Sequence, residues 1–230
     1  MFARADSAAT LQGVQDRAAV RLEPAASPSL PVNAYCRLGK RGFDVLFSVL
    51  AIAGLSWLYA LLALLVKLDS PGPVLFRQRR VGLDGNSFDC LKFRTMRHEP
   101  QAQFCQAQKN DPRVTRIGRF LRKTNLDELP QFFNVLRGEM SVVGPRPHVP
   151  ELDGAYIGLV QGYADRTRVR PGITGLAQVS GCRGETRRLR DMRQRVRLDL
   201  FYARNAGLLF DLKIIVETVR CTLLGDQRAY

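Results

Sequence analysis

Between Phe43 and Val66 the chain is almost wholly apolar, broken only by Asp44, Ser48, Gly54 and Ser56. As a helix, roughly 24 residues reach about 36 Å, enough to cross a hydrocarbon core. A buried helix of a soluble domain is the competing reading, but such helices are usually shorter and keep a polar stripe. Arg37, Lys40 and Arg41 precede the stretch; Lys67, Arg77, Arg79, Arg80, Lys92, Arg94 and Arg97 follow it. Positive charge marks the cytoplasmic side of a membrane, so a straight crossing would strand one of these clusters outside. A re-entrant helix that bends near Gly54–Ser56 and returns to the same face satisfies both.

The rest of the composition narrows the partner. With 35 Lys+Arg against 21 Asp+Glu the formal charge is +14, which calls for an anion: nucleic acid, an anionic membrane face or a phosphorylated small molecule. Hydrophobic residues make up 46% of the chain, which excludes a disordered protein. The cysteines (Cys36, Cys90, Cys105, Cys182, Cys221) are odd in number and scattered, so neither a disulfide framework nor a structural zinc site is expected. Residues 1–34 read as a flexible extension without a signal peptide, ending in a proline-dense linker. A re-entrant region over 35–68, a cytoplasmic catalytic domain over 69–224 and a tail over 225–230 complete the expected organisation. The fold class is α+β, mostly helical, with surface amphipathic helices around one small globular domain.

After the breaker cluster Asp69–Pro73, Val74–Val81 and Phe88–Thr95 flank Asp84-Gly85 and read as a β-hairpin. Helical patterns cover Pro112–Lys123, Leu126–Arg137 with Gly138 as its stop, and Glu151–Arg166. Residues Arg187–Leu224 form a last helical run, Arg-rich and then apolar. Its periodicity fits a membrane face and ordinary core packing equally.

The sharpest local feature is Thr124-Asn125-Leu126-Asp127-Glu128-Leu129-Pro130-Gln131. Two adjacent carboxylates near a helix start are, taken alone, best read as capping, by Thr124 or by Asp127. They become interesting when phosphate-binding cations surround them. Arg146 sits between Pro145 and Pro147, a preorganised position for bidentate phosphate recognition. Lys92 and Arg94 alternate onto one face of the second hairpin strand. Arg168, Arg170 and Arg183 fall in a glycine-rich stretch that allows close approach to a ligand. His98 and His148 are too few for a histidine metal site and read as incidental.

Several motifs occur in order: Lys40-Arg41-x-x-Asp44, the apolar stretch, Ser70-Pro71-Gly72-Pro73-Val74-Leu75-Phe76 and Lys92-Phe93-Arg94-Thr95-Met96. Leu126-Asp127-Glu128-Leu129-Pro130-Gln131, Gly144-Pro145-Arg146-Pro147 and Arg170-Pro171-Gly172-Ile173-Thr174-Gly175 follow. Together, over roughly Arg37 to Leu224, they resemble the bacterial sugar transferases, the monotopic polyprenyl-phosphate sugar-1-phosphate (phosphoglycosyl) transferases. The resemblance implies an enzyme at the cytoplasmic face of the bacterial inner membrane that starts polysaccharide assembly. It implies a UDP-sugar donor, undecaprenyl phosphate as acceptor, release of UMP, and Mg²⁺ as cofactor. By residue match Asp127 is the nucleophile of a covalent phospho-sugar intermediate and Glu128 helps hold the metal.

Lys92, Arg94, Arg146, Arg168, Arg170 and Arg183 are the expected phosphate-binding residues, because a carboxylate attacking a pyrophosphate needs cations to offset the repulsion. Membrane lipid is an expected partner, nucleic acid is not, and a homodimer is compatible. Many relatives carry Ser-Pro at the bend of the membrane helix, where this chain has Ser56-Trp57. Cys182-Arg183-Gly184-Glu185-Thr186 resembles the region of relatives that use UDP-glucose or UDP-galactose, which points to a hexose. The runner-up is a catalytically inactive, membrane-bound adaptor for anionic lipid or a glycan-synthesis partner. It explains the charge but leaves Asp127-Glu128 and Arg146 without a task.

Overall fold

The structure is a computed structural model that describes residues 35, 39–97, 111–182 and 188–224. The expected extension 1–34, most of the polar loop from Glu99 and the tail 225–230 lie outside the described residues. The apolar segment forms α1 (Lys40–Gly54) and α2 (Ser56–Asp69), which meet at 65°. Among the described residues no single helix is long and apolar enough to cross a membrane; this bent pair meets the test only together.

The bend exists without a proline because the two helices dock on different walls. Asp44 accepts from Ser141 Oγ (2.9 Å) and the Val142 amide (3.0 Å), which fixes α1 on the domain. Leu62 and Val66 of α2 pack instead against Phe93 and Leu121. In α1 the burial is inverted relative to a soluble helix. α1 turns Lys40, Asp44 and Ser48 inward and leaves Leu46, Val49 and Leu50 exposed. α2 exposes Trp57, Leu61, Leu64 and Leu68. Lys40 and Arg41, expected as free flanking charges, point into protein. Lys40 Nζ pairs with Asp211 at 2.7 Å, and Arg41 donates to the Val135 and Leu136 carbonyls.

Strands β1 (Leu75–Val81) and β2 (Ser87–Phe93) pair antiparallel, Leu75 opposite Phe93 and Val81 opposite Ser87. The Asp-Gly signal holds: the connection Gly82–Asn86 reverses through a 3₁₀ turn, Leu83–Gly85, in which Asp84 and Gly85 take positive φ, 53° and 80°. Next come α3 (Arg116–Thr124), a 3₁₀ turn (Leu126–Glu128) and α4 (Gln131–Arg137), which Gly138 ends at φ 84°. The helix expected over Leu126–Arg137 is therefore two pieces.

Strand β3 (Ser141–Val143) pairs in parallel with β4 (Gly172–Thr174), a second small sheet not expected from the sequence. The pattern over Glu151–Arg166 yields only α5 (Pro150–Tyr156). The chain then turns through Gly162 at φ 74° into a 3₁₀ turn, Ala164–Arg168. After α6 (Leu176–Val179), the last run divides at Ala206–Gly207 into α7 (Leu189–Asn205) and α8 (Leu208–Leu224). The main core joins Phe88 and Cys90 of the hairpin to Val135, Met140, Val142, Val143, Tyr202 and Ile214. α8 buries Asp211 and Ile214 and exposes Leu209, Val216, Leu223 and Leu224, again apolar side out.

The β3–β4 contact depends on glycine. A Cβ on Gly172 would lie 2.1 Å from the Gly144 amide nitrogen and 2.4 Å from the Thr174 carbonyl oxygen. Both are backbone atoms, so no rotamer change relieves the clash. Gly172→Ala is expected to cost about 3 kcal/mol or more, read as a drop in thermal unfolding temperature in detergent. An unchanged temperature would show that this contact is loose.

Candidate active site

Asn125 sets the site. It ends α3 in the left-handed conformation (φ 59°), which asparagine tolerates better than most residues. The reversal throws the chain into the 3₁₀ turn that carries Asp127 and Glu128, both buried at 8% exposure. Neither Thr124 nor Asp127 acts as a cap. Thr124 Oγ1 bonds back to the Phe120 and Leu121 carbonyls, and Pro130 stands before α4 with no side-chain cap. The capping reading therefore fails, and two buried carboxylates remain to be explained.

Glu128 is held by two cations. Lys92 Nζ from β2 lies 2.7 Å from Oε1; Arg146 reaches Oε1 at 2.8 Å and Oε2 at 3.4 Å, a bidentate fork. Burial alone would raise its pKa, but Arg146 and Lys92 hold the carboxyl well below the usual range. Asp127 is pushed up to about 6, first by burial and then by Glu128, against the pull of Lys92, Arg122 and Arg146. Among the described residues Asp127 forms no ion pair.

Arg146 is preorganised by more than its flanking prolines. Gly144 donates to the Thr174 carbonyl, Gly172 to that of Pro145, and Arg80 to that of Pro147. Arg166 Nη2 donates to the Arg146 carbonyl itself at 2.6 Å. Arg166 is also paired with Asp199 and bonded to His148 Nδ1. His148, read from the sequence as incidental, is buried at 3% and takes a 2.6 Å bond with Tyr163. Burial, followed by Arg166 and Arg195, keeps its imidazole neutral, its pKa lowered well below the usual value.

Of the remaining expected phosphate ligands, Arg94, Arg168 and Arg170 are held by other partners. Arg94 is buried and donates to the Val66, Ser70 and Pro71 carbonyls at the end of α2. Strand alternation ends at Phe93, and the free carbonyls of a helix C-terminus are a strong sink for a guanidinium. Arg168 pairs with Asp165 at 3.0 Å, and Arg170 Nε donates to the Gly138 carbonyl. Arg183 lies outside the described residues. Arg122 was not foreseen. It lies five positions before Asp127, and only the reversal at Asn125 makes it an electrostatic neighbour of that carboxylate.

Among the described residues no three His, Cys, Asp or Glu side chains gather as a metal cluster. Among the described residues Glu128 Oε2 carries only the 3.4 Å contact from Arg146 and so keeps lone-pair capacity for a cation. That is a partial ligand set, which suits Mg²⁺, since this ion takes one or two carboxylates and completes its shell with phosphate oxygens and water. A cavity of about 140 Å³ adjoins Glu128, between the 3₁₀ turn, α4, α6 and α8.

The Bacterial sugar transferase family model matches residues 35–225. The UDP-glucose:undecaprenyl-phosphate glucose-1-phosphate transferase of Escherichia coli K12 is 50% identical over 190 residues, 82% of this chain and 41% of that protein. The protein of the same name in Caulobacter vibrioides is 50% identical over 191 residues, 83% of this chain and 72% of that protein. The exopolysaccharide production protein PSS of Rhizobium leguminosarum bv. phaseoli is 48% identical, over 78% of this chain and 92% of that protein. The chain thus spans less than half of the Escherichia coli relative but nearly all of the Rhizobium one. It belongs to the bacterial sugar transferase family.

Proposed function

We propose that the protein transfers a hexose 1-phosphate from a UDP-hexose to undecaprenyl phosphate, releasing UMP, as the first step of exopolysaccharide assembly. The carrying observation is the buried pair itself: Glu128 is matched by Lys92 and Arg146, and Asp127 beside it is unmatched. The names of the relatives, with glucose 1-phosphate and undecaprenyl phosphate in them, support the substrate class.

In this reading Asp127 attacks the phosphorus that bears the sugar. The new bond is Asp127 Oδ–P, and the bond from that phosphorus to the bridging oxygen breaks, its electron pair leaving with UMP. An oxygen of undecaprenyl phosphate then attacks the same phosphorus and returns Asp127 to a carboxylate. With its pKa near 6, Asp127 is ionised at neutral pH and more basic than an ordinary carboxylate, which suits a nucleophile. Arg146 offers a planar fork and Lys92 a point charge to the pyrophosphate oxygens. Glu128 would hold Mg²⁺, which offsets the charge that repels attacking and leaving oxygens.

The protein in detergent with Mg²⁺, undecaprenyl phosphate and a panel of UDP-sugars should release UMP with one hexose donor. Silence with every donor would favour the adaptor. The site is placed by this reading at the cytoplasmic face of the bacterial inner membrane, with α1 and α2 as a re-entrant pair whose exposed leucines meet lipid. Single cysteines at Gly42 and Lys67, both exposed, should then label from the same side of intact cells. Labelling from opposite sides would overturn the topology.

A further inference from the structure

We propose that the cavity beside Glu128 receives the first isoprene unit of the polyprenyl phosphate acceptor, an assignment that rests on the transfer reading above. Its walls are Leu129, Phe132, Ile173 and Val179, closed by Cys221 and two threonines of α8. Most polar groups in those walls already have partners; Asn125 Nδ2, for one, donates to Thr222 Oγ1 at 3.5 Å. Thr218 Oγ1 donates to the Ile214 carbonyl (2.7 Å) and lies 2.6 Å from Thr174 Oγ1; Thr222 Oγ1 donates to the Thr218 carbonyl (2.9 Å). Gln178 Nε2 donates to the Ile173 carbonyl, while its Oε1 is buried without a hydrogen-bond partner among the described residues. What remains open is mostly hydrocarbon, which a nucleobase or hexose would find short of partners. An apolar cavity of roughly 150 Å³ takes up a six-carbon ring, and an isoprene unit has five carbons.

Position supports the same occupant. Glu128 forms part of the wall, so a phosphate gripped by Lys92 and Arg146 would lie at the mouth. On one side Phe132 touches Phe47 of α1, at 6.1 Å between ring centroids. On the other, α8 turns Thr218, Cys221 and Thr222 to the cavity and Val216, Val219 and Leu223 outward. The cavity thus lies between α1 and α8, two of the elements that expose apolar side chains, where a lipid tail would enter.

Two measurements test this. Cys221→Phe narrows the cavity and should raise KM for undecaprenyl phosphate at least about tenfold while KM for the UDP-hexose changes less than about twofold. A rise in donor KM alone, or no change in either, overturns the assignment. The second needs neither turnover nor substitution: alkylation of Cys221 by N-ethylmaleimide in the wild-type protein, followed by mass spectrometry. Farnesyl phosphate should slow it severalfold; UMP, UDP-glucose and inorganic phosphate should not. Protection by UMP or UDP-glucose instead would make the cavity a donor subsite, and protection by none would leave it without a ligand; either result overturns the proposal. A protein that never releases UMP but shows farnesyl phosphate protection would fail the transfer reading while keeping the lipid pocket.

Discussion

Asp127→Asn lowers UMP release by at least about 10³-fold, the scale on which loss of an enzyme nucleophile is felt. The amide has the size of the carboxylate but no charge with which to attack phosphorus. The fold should not suffer, because Asp127 caps no helix and its ionised form is disfavoured by burial and by Glu128. Thermal unfolding at neutral pH is therefore expected at the wild-type temperature or above it. Glu128→Gln would behave differently, since it strands Lys92 and Arg146 beside a neutral side chain. An Asp127→Asn protein that turns over like the wild type would remove Asp127 as the nucleophile.

The largest structural effect is expected at Asp211. Its carboxylate is fully buried and accepts from Tyr35 Oη (2.8 Å), Lys40 Nζ (2.7 Å) and Tyr202 Oη (2.7 Å). Asp211→Ala leaves two hydroxyls without this acceptor and Lys40, 8% exposed, with Asp44 at 3.9 Å as its remaining ion-pair partner among the described residues. Breaking a buried pair by removing one partner costs about 3–5 kcal/mol. For a chain of this size that is a fall of roughly 6 to 20 °C in unfolding temperature. A fall of about 1 °C would mean that Lys40 finds water or another acceptor. Kinetic constants of the surviving folded protein should change little, since Asp211 lies in the joint between α1, α7 and α8 rather than at Glu128.

What was legible in the sequence was what depends on local chemistry. Asp84-Gly85 marked a hairpin because few other residue pairs accept two positive φ values, and Gly138 marked a helix end for a related reason. The apolar run announced a helix bent near Gly54–Ser56, which the structure resolves into two. What was not legible depends on pairings far apart in the chain. Arg94 looked like a partner of Lys92 by alternation, but the end of α2 claims it. Asp127 looked like a cap because caps are common, and only the left-handed turn at Asn125 moves it away from any amide it could cap. His148 and Arg166, 18 residues apart, meet only after the chain folds back beyond α5. Gly162 and Gly207 stood in the sequence as break signals, but the apolar periodicity on either side read as continuous helix.

The inward polar stripe of α1 bears on the order in which the chain can be assembled. Lys40 finds its partner 171 residues later and Asp44 its partners 97 and 98 residues later. A ribosome therefore delivers α1 and α2 long before these distant partners exist, when Lys40 and Asp44 have only each other, four positions apart. On the proposed topology α1 must wait at the bilayer surface, where water can still solvate Lys40 and Asp44, until β3 has formed. On that topology α1 would reach its final depth only once Asp211 arrives with α8 to pair with Lys40.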